Sequence, residues 1–133
     1  MAAKIGAGQF LKKYKSLQEV LLDKDLAGLG DMYVNFVHSL ALSRKLRKPV
    51  GVKVNNRILA EAVRKSGLRK MLPGRIDRHA QGDAAEALIV YAWLRDVVGF
   101  EDCLRIMGRS EDLAEALTQL LREIGKRLGA TYE

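Results

Sequence analysis

From Ala84 to Leu94 the chain reads AAEALIVYAWL, and Glu86 is the one polar residue in the run. A segment this apolar has no face to offer to water, so it has to lie near the centre of whatever the chain builds. Its lone carboxylate is costly to bury without a partner or a purpose. The surrounding sequence supplies helices on either side of it, of which Leu26 to Leu46 is expected to be central and contacted on several sides.

Gln9 to Leu22 carries Phe10, Leu11, Tyr14, Leu17, Val20 and Leu21 at helical spacing, with Lys12, Lys13 and Lys15 between them. Leu26 to Leu46 reads as a longer helix with a seam of Leu26, Leu29, Tyr33, Phe36 and Leu40, widened by Val34, Val37 and Ala41. Pro49 and Gly51 then break the pattern in a basic connector, RKLRKPVGVKVNN. Asn55 or Asn56 can cap a helix bearing Ile58, Leu59, Ala62 and Val63, and Gly67 is placed to end it. A basic turn around Pro73 and Gly74 precedes the apolar run, which is expected to close near Gly99 and to be followed by a short EDCLRIMG turn or helix. Ser110 caps the last expected helix, whose stripe is Leu113, Leu117, Leu120, Leu121, Ile124 and Leu128. VGVKV is the only candidate strand, and a short one, so the expected fold is all-α.

A chain of 133 residues suits one domain, 1–133, with enough length for a real core. Apolar residues make up 48% and prolines number 2, a globular and helix-friendly composition. No apolar stretch reaches membrane-spanning length, and MAAKIGAGQFLKKYKS lacks the apolar core of a secretory signal, so a cytoplasmic protein with no membrane partner is expected. Cys103 is the single cysteine, which rules out an internal disulfide and a multi-thiolate zinc site and leaves a small buried apolar side chain as the simplest reading. The net charge of +7 is unevenly spread. Arg44 to Arg78 holds twelve Lys or Arg against two acids, +10, while the remainder has eleven bases against fourteen acids, −3. Such a segment fits either a polyanion-binding face or a solvated helical surface.

Glu86 does not stand alone if the apolar helix begins early enough. His79, Asp83 and Glu86, at i, i+4 and i+7, then share an arc of about 60°. Asp31, Asn35 and His38 repeat that spacing in the earlier long helix. If the two polar stripes face each other, Asp31, Asp83 and Glu86 converge, and clustered carboxylates repel unless a cation sits among them. Oxygen donors without cysteine suit Mg²⁺ or Mn²⁺. A plainer reading stands beside this one: Asp83 as an N-cap with Glu86 reaching back, and Gly30–Asp31 opening a helix. Neither histidine is assigned a role.

LGDMYVNFVHSLA, Leu29 to Ala41, resembles the first signature of ribonuclease III catalytic domains, and GDAAEALIVYAWL, Gly82 to Leu94, resembles the second. Between them NNRILAEAVRKSGL is similar to the family's linking segment, and order and approximate spacing agree over Leu26 to Leu94. The resemblance implies that Asp31, Asp83 and Glu86 hold Mg²⁺ at a scissile phosphate, with Asp31 and Glu86 catalytic. It further implies a homodimer that lays an A-form duplex across both subunits, gripped through phosphates and 2′-hydroxyls. Arg44, Lys45, Arg47, Lys48, Lys53, Arg75 and Arg78 are the candidates for that contact. One departure is Ala27, which stands where most members carry a Glu. The compact Mini-III branch, which this chain resembles in size, also lacks that Glu, and Asp25 or Asp77 is available to compensate. The residues after Leu94 are expected to complete the domain, without a double-stranded RNA-binding domain.

Three functions are compatible with the sequence. The first is a metal-dependent endoribonuclease acting on double-stranded stems of structured RNA, with ribosomal RNA maturation as one setting. The second is a silent RNA-binding or scaffold protein of the same fold. The third, ranked lowest, is a DNA-binding module built on ILAEAVRKSGLRKMLPGRID, whose would-be recognition helix is truncated by Pro73 and Gly74.

Overall fold

In the computed structural model, residues 8–130 are described. Within them lie α1 (Leu17–Leu21), α2 (Lys24–Leu46), α3 (Asn56–Ser66), a 3₁₀ turn (Leu68–Met71), α4 (Arg78–Leu94), α5 (Phe100–Met107) and α6 (Leu113–Leu128), and no strand among the described residues. The all-α expectation therefore holds. Residues 1–7, on which part of the leader argument rests, lie outside the described residues. No described helix is long and apolar enough to cross a membrane.

Caps set the boundaries, and they correct several expectations. Helix α1 is a short piece of the helix anticipated from Gln9. Ser16, in extended backbone, accepts from the Glu19 N–H to start it, and Asp23 accepts from the Asp25 and Leu26 N–H groups to start α2 immediately afterwards. Tyr14 lies before the helix and donates its hydroxyl to Asp23 at 2.7 Å. Asn55 caps α3 and Gly67 closes it in the left-handed region (φ 90°), as the spacing predicts. Asp77 caps α4 through the Ala80 N–H. The helix therefore starts earlier than the apolar run and ends at Leu94, short of Gly99. Asp112 caps α6, while Ser110 only accepts from the Asp112 N–H.

Helix α4 is the axis of the fold. Ala84, Ala85, Ala87, Leu88, Ile89, Val90 and Ala92 are all buried. Helices α2, α3 and α6 pack around it, and α5 bridges α2 and α6. Leu59 of α3, Leu88 and Ile89 of α4, and Leu117, Leu120, Leu121 and Ile124 of α6 form the main core. A smaller cluster joins Val20, Leu26 and Ala27 to Ala87, Val90 and Leu94.

The buried face of α2 is not the large-residue seam expected. Leu26, Ala27, Gly30, Val34, Val37 and Ala41 face inward, whereas Leu29, Met32 and Phe36 are exposed. Small residues win the inner face because α2 and α4 cross closely at Gly30, where an added Cβ would collide with the carbonyl oxygen of Glu86. The larger side chains are displaced sideways: Tyr33 stacks on Trp93 with ring centres 5.0 Å apart, and Phe36 on Phe100 at 5.9 Å.

The basic connector is extended but pairs with no strand. Ser43 brackets Val50 and Ser39 brackets Val52, each hydroxyl accepting from the N–H (2.9 Å in both cases) and donating to the carbonyl of the same residue. The region offered as a helix-turn-helix is α3 followed by the 3₁₀ turn. Arg69 there donates to the carbonyls of Pro73 and Gly74, and no recognition helix forms.

Candidate active site

The close crossing at Gly30 places the residue after it, Asp31, beside Glu86 of α4. Both are mid-helix residues, as is Asp83, so helix capping explains none of the three. They line one cleft of about 550 Å³, together with Lys24, Ala27 and Gly28 of α2, Lys53 to Asn56 of the connector and the start of α3, and His79 of α4. The facing polar stripes read from the sequence are thus brought together, except that His38 points elsewhere. It lines a hollow of about 70 Å³ with Lys45, Met107 and Glu111. There burial, with a lesser contribution from Lys45, lowers its pKa.

Glu86 is only 4% exposed. Burial, a hydrogen bond with Asp31 and the negative fields of Asp31 and Asp83 push its carboxyl up to about 8, with Lys53 opposing the rise. At neutral pH Glu86 is therefore mostly protonated and can donate to the Asp31 carboxylate, which is how two acids share so confined a place. Asp31 also accepts from Asn35 Nδ2 at 3.0 Å. Asp83 is held by Lys24, whose Nζ lies 3.1 Å from Oδ2, and His79 Nε2 stands 3.6 Å from the same oxygen.

The donor set is carboxylate oxygen without thiolate, the chemistry that hard divalent cations select. As the side chains stand, no three His, Cys, Asp or Glu among the described residues are grouped closely enough to hold a metal ion. Asp83 is occupied by the Lys24 ammonium instead. Ala27 lines the cleft without a carboxylate, and neither suggested substitute reaches it: Asp77 caps α4, and Asp25 sits on the exposed first turn of α2.

Of the seven basic candidates, Lys53 enters the cleft. Arg44, Lys45, Arg47, Lys48, Arg75 and Arg78 are exposed outside its lining. Arg44 and Lys45 make long contacts to Glu101 (3.9 Å) and Glu111 (3.8 Å). Cys103 is buried, as expected, and receives the Tyr33 hydroxyl at 3.3 Å. Lys24 was not singled out from the sequence, and Asn56 was considered only as a helix cap, a role that Asn55 takes. Lys24 was detectable in principle, since it lies seven residues before Asp31 on one helical face. Asn56 reaches the cleft only through its contact with His79 (3.0 Å) and its packing on Gly82, neither of which any pattern announces.

An all-helical domain whose two longest helices cross closely and set paired carboxylates in a cleft flanked by lysines has the architecture of a ribonuclease III catalytic domain. The family model for Ribonuclease III matches residues 24–130, and the chain belongs to the ribonuclease III family. A comparison with individually curated proteins gives no match. Membership points to an RNA-related nuclease function, in a family that generally uses divalent metal ions.

Proposed function

We propose that this protein is an endoribonuclease that hydrolyses phosphodiester bonds in double-stranded regions of structured RNA, ribosomal RNA precursors among the possible substrates, and that it requires Mg²⁺ or Mn²⁺. The observation that carries the reading is the buried Glu86–Asp31 pair opening into a cleft that also holds Asp83, Lys24 and Lys53. Asp31, Asp83 and Glu86 would hold the ion, which supplies activation of a water and neutralisation of charge on the phosphate. Asp31 and Glu86 are the catalytic pair, and would hold the ion in place of the proton they share. Lys53 meets the phosphate from the connector side. Lys24 would have to release Asp83 for that carboxylate to hold the ion. Arg44, Lys45, Arg47, Lys48, Arg75 and Arg78 grip the duplex backbone outside the cleft, a contact suited to A-form RNA and not selective for DNA sequence.

The protein acts as a homodimer in this reading. Support comes from Leu29, Met32 and Phe36, exposed at 41%, 62% and 58% in one stripe of α2, a face that a second copy would cover. Sedimentation of the wild type should give a dimer, and Phe36→Glu a monomer; a monomeric wild type would remove the dimer from the proposal.

The decisive assay incubates a labelled perfect RNA duplex with wild type, Asp31→Asn and Glu86→Gln, each with Mg²⁺, Mn²⁺ or chelator. Discrete products that need both metal and the two carboxylates are expected. Metal-dependent cleavage retained in both variants refutes the assignment. The buried Ala27, with no carboxylate at that position, favours one rival, a silent RNA-binding protein. It predicts salt-sensitive duplex binding without products under any divalent ion, on the model duplex and on structured ribosomal RNA alike.

A further inference from the structure

The connector runs antiparallel to α2, and side chains of the helix hold it in a fixed register. Asn35, Ser39 and Ser43 are spaced by four residues on one face of α2. They bond to every second residue of the extended segment: Ser43 to Val50, Ser39 to Val52 and Asn35 to Val54, whose N–H donates to Asn35 Oδ1 at 2.8 Å. Four helical residues rise about 6.0 Å and two extended residues about 6.6 Å, so the two repeats nearly coincide over three rungs. A slip by one residue would turn every rung's N–H and C=O away from the helix.

The last rung differs chemically from the others. Asn35 accepts from the Val54 N–H with its carbonyl and donates to Asp31 Oδ1 with its amino group. Both ends are dictated by their partners, since a backbone N–H needs an acceptor and a carboxylate needs a donor. Asn does both from two separate atoms, spanning the gap between its partners in a way that a single hydroxyl oxygen does not. Aspartate would set a second carboxylate against Asp31, while serine or alanine would leave one or both partners unserved. Immediately before this rung stands Lys53, which lines the cleft and whose charge acts on Glu86.

We propose that Asn35 is a positioning residue, the terminal rung of a side-chain ladder that fixes Lys53 at the cleft for contact with an RNA phosphate while orienting Asp31. The inference rests on the RNA-directed reading above and adds to it a specific device. Loosening the ladder at Ser39 affects only the delivery of Lys53; removing Asn35 affects delivery and the carboxylate together.

The test compares wild type, Asn35→Ala, Ser39→Ala, Ser39→Thr and Lys53→Met. Binding of a fluorescent RNA duplex is measured by anisotropy in chelator across a range of salt, and cleavage kinetics are measured in Mg²⁺. All are run well below each variant's unfolding temperature. Ser39→Ala, Asn35→Ala and Lys53→Met should each weaken duplex binding at least fivefold. Lys53→Met should lower the slope of log affinity against log salt by about one, as loss of one phosphate contact requires. Ser39→Thr keeps the hydroxyl and should restore binding. In cleavage, the loss for Ser39→Ala should fall on KM, and Asn35→Ala should in addition lower kcat at least tenfold.

Wild-type binding and cleavage with unaltered affinity in folded Asn35→Ala and Ser39→Ala would overturn this inference alone. So would equal failure of Ser39→Thr and Ser39→Ala. Wild-type binding without cleavage would overturn the nuclease reading, and the affinities would still decide the ladder. A wild type that does not bind duplex RNA would overturn both.

Discussion

Glu86→Gln should stabilise the metal-free protein while abolishing its activity. The carboxyl goes from an ordinary value of 4.5 to about 8 on folding, burial being the largest cause. An acid whose pKa is raised in the folded state holds its proton more tightly there than in the unfolded chain. Its contribution is therefore full below pH 4.5, declines as pH rises from 4.5 towards 8, and levels off above that. At about 1.4 kcal/mol per pH unit the decline amounts to at most about 5 kcal/mol. Glutamine keeps the shape and can donate to Asp31 as the protonated acid does, but it has nothing to ionise. Urea denaturation of both proteins in chelator at pH 5, 6, 7 and 8.5 isolates the effect of Glu86 and the groups coupled to it, because titrating groups remote from this cluster cancel in the difference. The variant should lie within about 1 kcal/mol of the wild type at pH 5 and exceed it by a margin that grows with pH, to several kcal/mol at pH 8.5. A margin independent of pH, or a variant less stable than wild type at pH 8.5, would refute the argument. Added Mg²⁺ should then narrow the margin by stabilising only the wild type substantially, as expected for an ion bound by the native state.

Gly30→Ala should destabilise the fold by about 1–3 kcal/mol or more, because its Cβ meets the Glu86 carbonyl and the two central helices must separate. Gly28→Ala, with nothing within 4 Å of its added Cβ, should instead gain about 0.5–1 kcal/mol from helix propensity, and thermal unfolding of the pair checks both. Arg127, then Arg105 and the Gly99 N–H, hold the Asp102 carboxyl down at about 2, so the stability it confers is present above pH 3.8 and is lost as pH falls through 2. The group is about one-third exposed, and screening limits that contribution to about 1 kcal/mol or less; acid titration of Asp102→Asn against wild type should show convergence only at the acid end. Lys24→Met should leave stability within about 1 kcal/mol, since the lysine is well exposed, yet lower the Mg²⁺ concentration that gives half-maximal thermal stabilisation by freeing Asp83. An unchanged or raised midpoint would show that Lys24 does not compete with the ion.

What the sequence disclosed and what it concealed divide along one physical line. Period and caps are local, so α3 with Asn55 and Gly67, the α6 stripe and the acid-bearing face of α4 were all legible. The inner face of α2 was not, because hydrophobicity alone favours Leu29 and Phe36, and only the approach of α4 makes Gly30 and Ala27 the better choice. The connector was legible as a connector, but its partners were not: they are serine and asparagine side chains four residues apart on a helix, a pairing that no local pattern announces. Both features concern one region. The absence of a Cβ at Gly30 brings Glu86 against α2, and the polar face of α2 that remains free carries both Asp31 and the ladder. Glu86 is therefore buried in an apolar helix because the same crossing that excludes water from it supplies Asp31 as its partner. The proton that reconciles the two acids is the one that a bound cation would replace under the proposed function.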